Sequence, residues 1–115
     1  MIKIVEQSML YDFYGELLTE HQKRIYEDVV FNDMSPSEIA REEGITRQGV
    51  HDLIKRCDKI LGEYEEKLHL VEKFMNTKKD IELIKQISDK CKKNNDVKLI
   101  DEIIRISDKM IEEMM

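Results

Sequence analysis

The sequence predicts an all-α protein: a helix-turn-helix, a long helix running on from it, and a C-terminal helical hairpin. Three observations carry that reading. The 115 residues include only four Gly and one Pro, too few to join many short strands by tight turns. Apolar residues recur at helical spacing along most of the chain. Ser or Thr, with Glu or Gln three residues on, stands before two of the apolar runs, as helix starts require.

The first helix is expected from about Ile4 to Leu18, on a stripe of Val5, Met9, Phe13 and Leu17 that Tyr14 widens. Gly15 weakens it by up to ~1 kcal/mol relative to Ala. Thr19 opens the second helix, its hydroxyl capping the end while Gln22 reaches back in a capping box. Ile25, Tyr26, Val29 and Val30 form its apolar face, and Asn32-Asp33 ends it.

The run from Met34 to Val50 is the informative one. Ser35 reads as an N-cap, Pro36 as the first helical residue and Glu38 as the capping-box partner. Met34 and Ile39 are spaced for a hydrophobic staple. Barely two turns later Gly44 suits a left-handed C-terminal position. Thr46 then caps a new helix at once, with Ile45 and Val50 spaced for a second staple. A short capped helix, a glycine turn and a freshly capped helix make a helix-turn-helix. Ala40 stands where two crossing helices need a small side chain, and Ile39, Ile45, Val50 and Leu53 are expected to fill the wedge.

Beyond Thr46 the apolar stripe continues through Leu53, Ile54, Cys57, Ile60, Leu61, Tyr64, Leu68, Val71 and Met75. One helix from Arg47 to about Met75 is therefore expected, ~40 Å long at 1.5 Å per residue, with Gly62 as the one place for a bend. The C-terminal part repeats itself: residues 81–91 and 100–110 agree at six of eleven positions, by duplication or by convergence of two amphipathic helices. Asn94-Asn95-Asp96 between them reads as a turn. The expectation is a hairpin of about 78–93 and 96–114, turning Ile81, Ile84, Ile87, Leu99, Ile103, Ile106 and Met110 inward. Residues 1–75 then form the helix-turn-helix domain, with its core at 35–56. Residues 76–115 form the hairpin, expected to pack on the long helix along a seam that hides Cys57, Leu61 and Leu68.

Charge limits the functions. The net charge is −6, from 19 basic and 25 acidic residues, so the protein does not coat nucleic acid or anionic membrane indiscriminately. Residues 1–33 hold 3 basic and 7 acidic side chains, whereas residues 34–62 hold 5 of each. The middle segment is locally neutral, so there is room there for a basic face. There is no Gly-rich phosphate loop, no metalloprotease or nucleophile-elbow motif and no metal-ligand spacing among the Cys and His residues. The expectation is a protein that is not an enzyme and needs no cofactor or metal. Cys57 and Cys91 are expected as small core fillers. No stretch approaches ~18 consecutive apolar residues and the N-terminal run lacks a signal-peptide core, so a cytoplasmic protein is expected.

The helix after the turn carries the candidate site. It holds Arg47, Gln48, His51, Asp52, Lys55 and Arg56, of which residues 47, 48, 51, 52 and 55 are expected on the face opposite Val50, Leu53 and Ile54. Arg and Gln hydrogen-bond guanine and adenine edges, while Lys and Arg hold phosphates. The same polar face on a helix that binds nothing is the competing reading, and Asp52 with Glu42-Glu43 nearby supports it.

Several runs together bring in a family. From Leu10 to Phe74 the chain resembles the YlxM-like proteins, small bacterial helix-turn-helix proteins related to region four of sigma factors. The resemblance lies in Tyr11-Asp12-Phe13-Tyr14-Gly15-Glu16-Leu17-Leu18-Thr19-Glu20, Glu38-Ile39-Ala40, Thr46-Arg47-Gln48, Ile54-Lys55-Arg56 and Tyr64-Glu65-Glu66-Lys67-Leu68. It differs at Gly49, where Ala is usual, and at His51, where Tyr is common. The resemblance implies a sigma-region-four-like DNA-reading unit. It also implies a link to the signal recognition particle pathway, whose GTPase is typically encoded beside family members. Two functions follow as expectations: a DNA-binding regulator, or an acidic adaptor for a protein or ribonucleoprotein partner in protein targeting. A homodimer is expected from the apolar remainder of the long helix and the end formed by Met110, Ile111, Met114 and Met115.

Overall fold

A computed structural model describes residues 2–114, with side chains from residue 4 onward. Met115 lies outside them. The elements are α1 (Ile2–Tyr14), a 3₁₀ turn (Gly15–Leu17), α2 (Glu20–Val30), α3 (Pro36–Glu43), α4 (Arg47–Leu68), α5 (Leu70–Asn94) and α6 (Lys98–Met114). No strand occurs among the described residues. The chain divides into two compact units after Val71.

In the first unit, α1 turns a different face inward from the one expected. Val5, Phe13 and Leu17 are exposed, at 64%, 37% and 55%. The buried line is Gln7, Tyr14 and Leu18, with Leu10 and Tyr11 packed beside it. Aromatic stacking explains the phase. The Tyr11 ring stacks on Tyr26 and the Tyr14 ring on Tyr64, at 5.4 and 6.0 Å between centroids. Their hydroxyls find carboxylates as well, which an aliphatic stripe does not offer. The α-helix also stops at Tyr14 rather than Leu18, and Gly15 marks the place. A Cβ there would meet the Tyr11 ring at 2.9 Å, so only glycine lets ring and backbone approach this closely.

Thr19 forms both halves of its capping box with Gln22, at 3.1 and 3.0 Å. Ile25 and Tyr26 of α2 are fully buried. Two core clusters result: Tyr14, Leu18, Tyr26, Cys57 and Leu61 on one side, and Ile25, Ile39 and Val50 on the other. Cys57 and Cys91 are both free thiols. Burial, then the neighbouring Asp58, pushes the Cys57 thiol up to about 11.

The long helix breaks where the periodicity does not. Gly62 sits inside unbroken α4, and the chain turns at His69, which adopts a left-handed conformation (φ 55°, ψ 31°). Polar tertiary contacts account for the break. Leu70 N–H donates to the Tyr14 hydroxyl at 3.1 Å, and Val71 N–H donates to Glu65 Oε1 at 2.9 Å. Tyr14 in turn donates to Glu65 Oε1 at 2.6 Å. Two of the orphan donors that open α5 are thus satisfied by side chains of α1 and α4. Burial and this bond to Glu65 both raise the Tyr14 phenol. Leu68, expected to be hidden, is 48% exposed.

The second unit is the hairpin of α5 and α6, turned through Asn95 at φ 50°. Ile84, Leu99, Ile103, Ile106 and Met110 are half-buried, as the spacing requires, and Ile87 is buried. Ile81 is not; it is 54% exposed. Asp80 and Lys109 approach to 3.7 Å across the hairpin.

Candidate nucleic-acid interface

Local chemistry builds the helix-turn-helix as the spacing predicts. Ser35 Oγ accepts from Glu38 N–H at 3.2 Å and Pro36 begins α3. Among the described residues only this half of the Ser35 box is present. Gly44 closes α3 at φ 68°, a conformation costly for any residue with a Cβ. Gly44 N–H and Ile45 N–H both reach back to the Ala40 carbonyl. Thr46 Oγ1 then accepts from Gly49 N–H at 2.9 Å and starts α4.

Between the two helices lie Ile39 and Val50, almost fully buried, with Ala40, Leu53, Ile54, Met34, Ile25 and Val29 around them. Ile45, expected in this wedge, is instead 37% exposed. Its place next to the Gly44 turn lifts the side chain off the core, and α2 supplies Ile25 and Val29 instead.

With the apolar side of α4 held this way, its other side is outward. Arg47, Gln48, His51, Lys55 and Arg56 are all exposed. Among the described residues none of Arg47, Lys55 and Arg56 makes an ion pair. Gln48 is held: its Nε2 donates to Asp52 Oδ1 at 3.0 Å, one turn on. Lys59, four residues after Lys55, is also exposed and extends the basic strip. The i, i+4 spacing already pointed to it.

One of the acidic neighbours, Glu43, weighs less here than the sequence suggests, while Asp52 and Glu42 stay exposed. Glu43 is clamped by Arg24, whose Nη2 meets both carboxylate oxygens at 3.0 Å and whose Nε adds a contact at 3.2 Å. His21 lies 3.4 Å from the same carboxylate. Arg24 and His21, both on α2, therefore face one anion of α3, and the Arg24 clamp largely neutralises the carboxylate nearest the turn. Asp58, on the core side of α4, accepts from Tyr26 at 2.5 Å and from Gln7 at 3.0 Å. Its oxygens are thus engaged by α1 and α2.

Fold and site together define a helix-turn-helix protein. The chain belongs to the UPF0122 family: the family described as "Putative helix-turn-helix protein, YlxM / p13 like" matches residues 1–103. A UPF0122 protein of Clostridium acetobutylicum is 47% identical over 100 residues, covering 84% of this chain and 86% of that protein. One from Caldanaerobacter subterraneus subsp. tengcongensis is 49% identical over 79 residues, covering 69% and 68%. One from Acetivibrio thermocellus is 47% identical over 88 residues, covering 76% and 75%. Among the described residues no helix is long and apolar enough to cross a membrane. None of their His, Cys, Asp and Glu residues form a group of three or more able to hold a metal ion.

Proposed function

We propose that this protein binds duplex DNA as a regulator, with α4 as the reading helix. The observation that carries this is the outward strip of α4: three cations without an ion pair among the described residues, Gln48 and His51 on a helix fixed from behind by buried Ile39 and Val50. Arg47, Gln48 and His51 occupy the end of the helix that enters the major groove in such motifs. Lys55 and Arg56 lie one turn or more inside and hold phosphates. A homodimer belongs to this reading, because paired half-sites match two-fold symmetry.

The test is an anisotropy titration of wild type, Arg47→Ala and Lys55→Ala on selected and random duplexes over a range of salt. Lys55→Ala weakens binding on every sequence and lowers the salt slope by about one unit. Arg47→Ala loses ~1–3 kcal/mol on the selected duplex alone. Failure of wild type to bind either duplex at ~50 mM salt, where phosphate contacts are strong, overturns the reading.

A second reading has its own support. Glu6, Asp12, Glu16, Glu20 and Glu27 are all exposed on α1, the 3₁₀ turn and α2. That acidic surface suits a basic protein or the protein part of a ribonucleoprotein, including one of the signal recognition particle pathway. Binding to such a partner that survives Arg47→Ala and Lys55→Ala but fails when these acids are neutralised supports this adaptor role.

A further inference from the structure

We infer that the hairpin of α5 and α6 is one half of a four-helix bundle completed by a second copy of this chain, with α5 of each copy lying against α6 of the other. This names the surface behind the homodimer of the proposed function and rests on that part of the reading alone.

The hairpin is built with two apolar stripes and uses only one. Its inner stripe is Ile84, Ile87 and Cys91 of α5 and Leu99, Ile103, Ile106 and Met110 of α6, all buried or half-buried. The outer stripe is Val97, just before α6, and Ile100, Ile104, Ile111 and Met114 within it, exposed by 72%, 43%, 52%, 57% and 85%. With Ser107 the spacing is 3-4-3-4-3, the heptad pattern of a helix that packs on another helix. A helix with one filled and one open seam is half of a larger bundle. On α5, Ile81 lies outward in a groove of about 350 Å³ with Phe74, Thr77, Lys78 and Glu82.

Helix geometry puts both outer stripes on one side of the hairpin. On each helix the outer stripe is displaced from the inner one by roughly a quarter turn, in the same sense along the chain. Because the helices are antiparallel, equal displacement brings both stripes out on the same face. The hairpin therefore presents one two-helix surface, apolar along α6 and on α5 at Phe74 and Ile81, where Lys85, Ser88 and Lys92 continue the line.

Charge selects the occupant and its orientation. Beside the α5 stripe run Lys78, Lys85 and Lys92, spaced by seven and all exposed. Beside the α6 stripe run Asp101 and Asp108, also spaced by seven, followed by Glu112, all exposed. Exposed Glu82 and Asp89 interleave with these lysines and Arg105 with the acids, so one edge of the face is net basic and the opposite edge net acidic. A two-fold axis parallel to the helices sets the basic edge of one copy over the acidic edge of the other at matching heights. A two-fold axis across the helices stacks like on like, which charge repulsion disfavours. The first arrangement makes every neighbouring pair of helices antiparallel, as in up-down four-helix bundles.

The experiment is sedimentation of the full chain at tens of micromolar without DNA, so its outcome is independent of the α4 titration. The expected result is a dimer. Ile104→Asp raises its Kd by about a hundredfold or more while circular dichroism stays unchanged, because Ile104 is exposed within the chain. Lys85→Glu alone and Asp108→Lys alone each raise Kd by about tenfold. The double variant Lys85→Glu/Asp108→Lys restores the wild-type Kd, which a stack of α5 on α5 does not predict. A monomeric wild type, a dimer unaffected by Ile104→Asp, or a double variant no tighter than the singles overturns the proposal.

Discussion

The two units solve the same problem, burying an amphipathic helix, to very different degrees. The first encloses Tyr14, Leu18, Ile25, Tyr26, Ile39, Val50, Cys57 and Leu61, five of them from α1, the turn after it and α2 or α3 rather than from the long helix. The second buries Ile87 alone among the described residues, although α5 and α6 hold many aliphatic side chains. Layers explain the difference. In the first unit α4 is covered by α1, α2 and α3, so its apolar stripe meets partners over most of its length. Two helices side by side shield only the strip between them. The first unit is moreover tied by directional bonds, Tyr14 to Glu65 and Tyr26 to Asp58. A unit built in the first way resists change at its core. One built in the second way leaves apolar side chains such as Ile104 and Ile111 on its surface.

That contrast breaks most visibly with one buried charge. Leu61→Asp, at a position with no exposure, should cost several kcal/mol and lower the melting temperature sharply. The same change at exposed Ile104 should leave monomer unfolding within about 0.5 kcal/mol. Equal losses at the two sites would erase the distinction. Next in size is Ile87→Ala, expected to cost ~2–3 kcal/mol, and hydrogen exchange should show the loss in α5 and α6 rather than in α3. Tyr14→Phe leaves Leu70 N–H without its acceptor and should cost ~1–2 kcal/mol, read as faster amide exchange at Leu70 and Val71. Gly44→Ala, at φ 68°, should cost ~1 kcal/mol, without loss of helical signal.

The gentlest test is alkaline pH. Cys57 is held protonated up to about 11 from an ordinary value of 9.0, by burial first and Asp58 second. Between these values the folded chain keeps a proton that the unfolded chain releases, so stability falls as pH rises. Burial first, and then their carboxylate partners, raise the phenols of Tyr14 and Tyr26 in the same direction. Urea midpoints should hold steady from pH 7 to about 8.5 and then decline. Cys57→Ala should delay the onset, and an unchanged profile in that variant would assign the decline to the tyrosines.

Much of this protein is determined by the sequence alone. Ser35-Pro36, Gly44 and Thr46 act on backbone groups within three or four residues of themselves, so the helix-turn-helix and the candidate residues Arg47, Gln48, His51, Lys55 and Arg56 were legible in order. The same holds for the Thr19 cap and the turn at Asn95. Only tertiary structure decided which stripe of α1 is buried, because Tyr11 and Tyr14 gain ring stacking and carboxylate partners that an aliphatic count does not register. It likewise decided the break at His69, since the apolar period runs straight through and the acceptors that open α5 belong to Tyr14 and Glu65. The clamp of Arg24 on Glu43 spans 19 residues, and no local pattern shows that an acidic turn is neutralised from a neighbouring helix. Local hydrogen bonds are written in short spacings, whereas the phase and length of a helix depend on what packs against it.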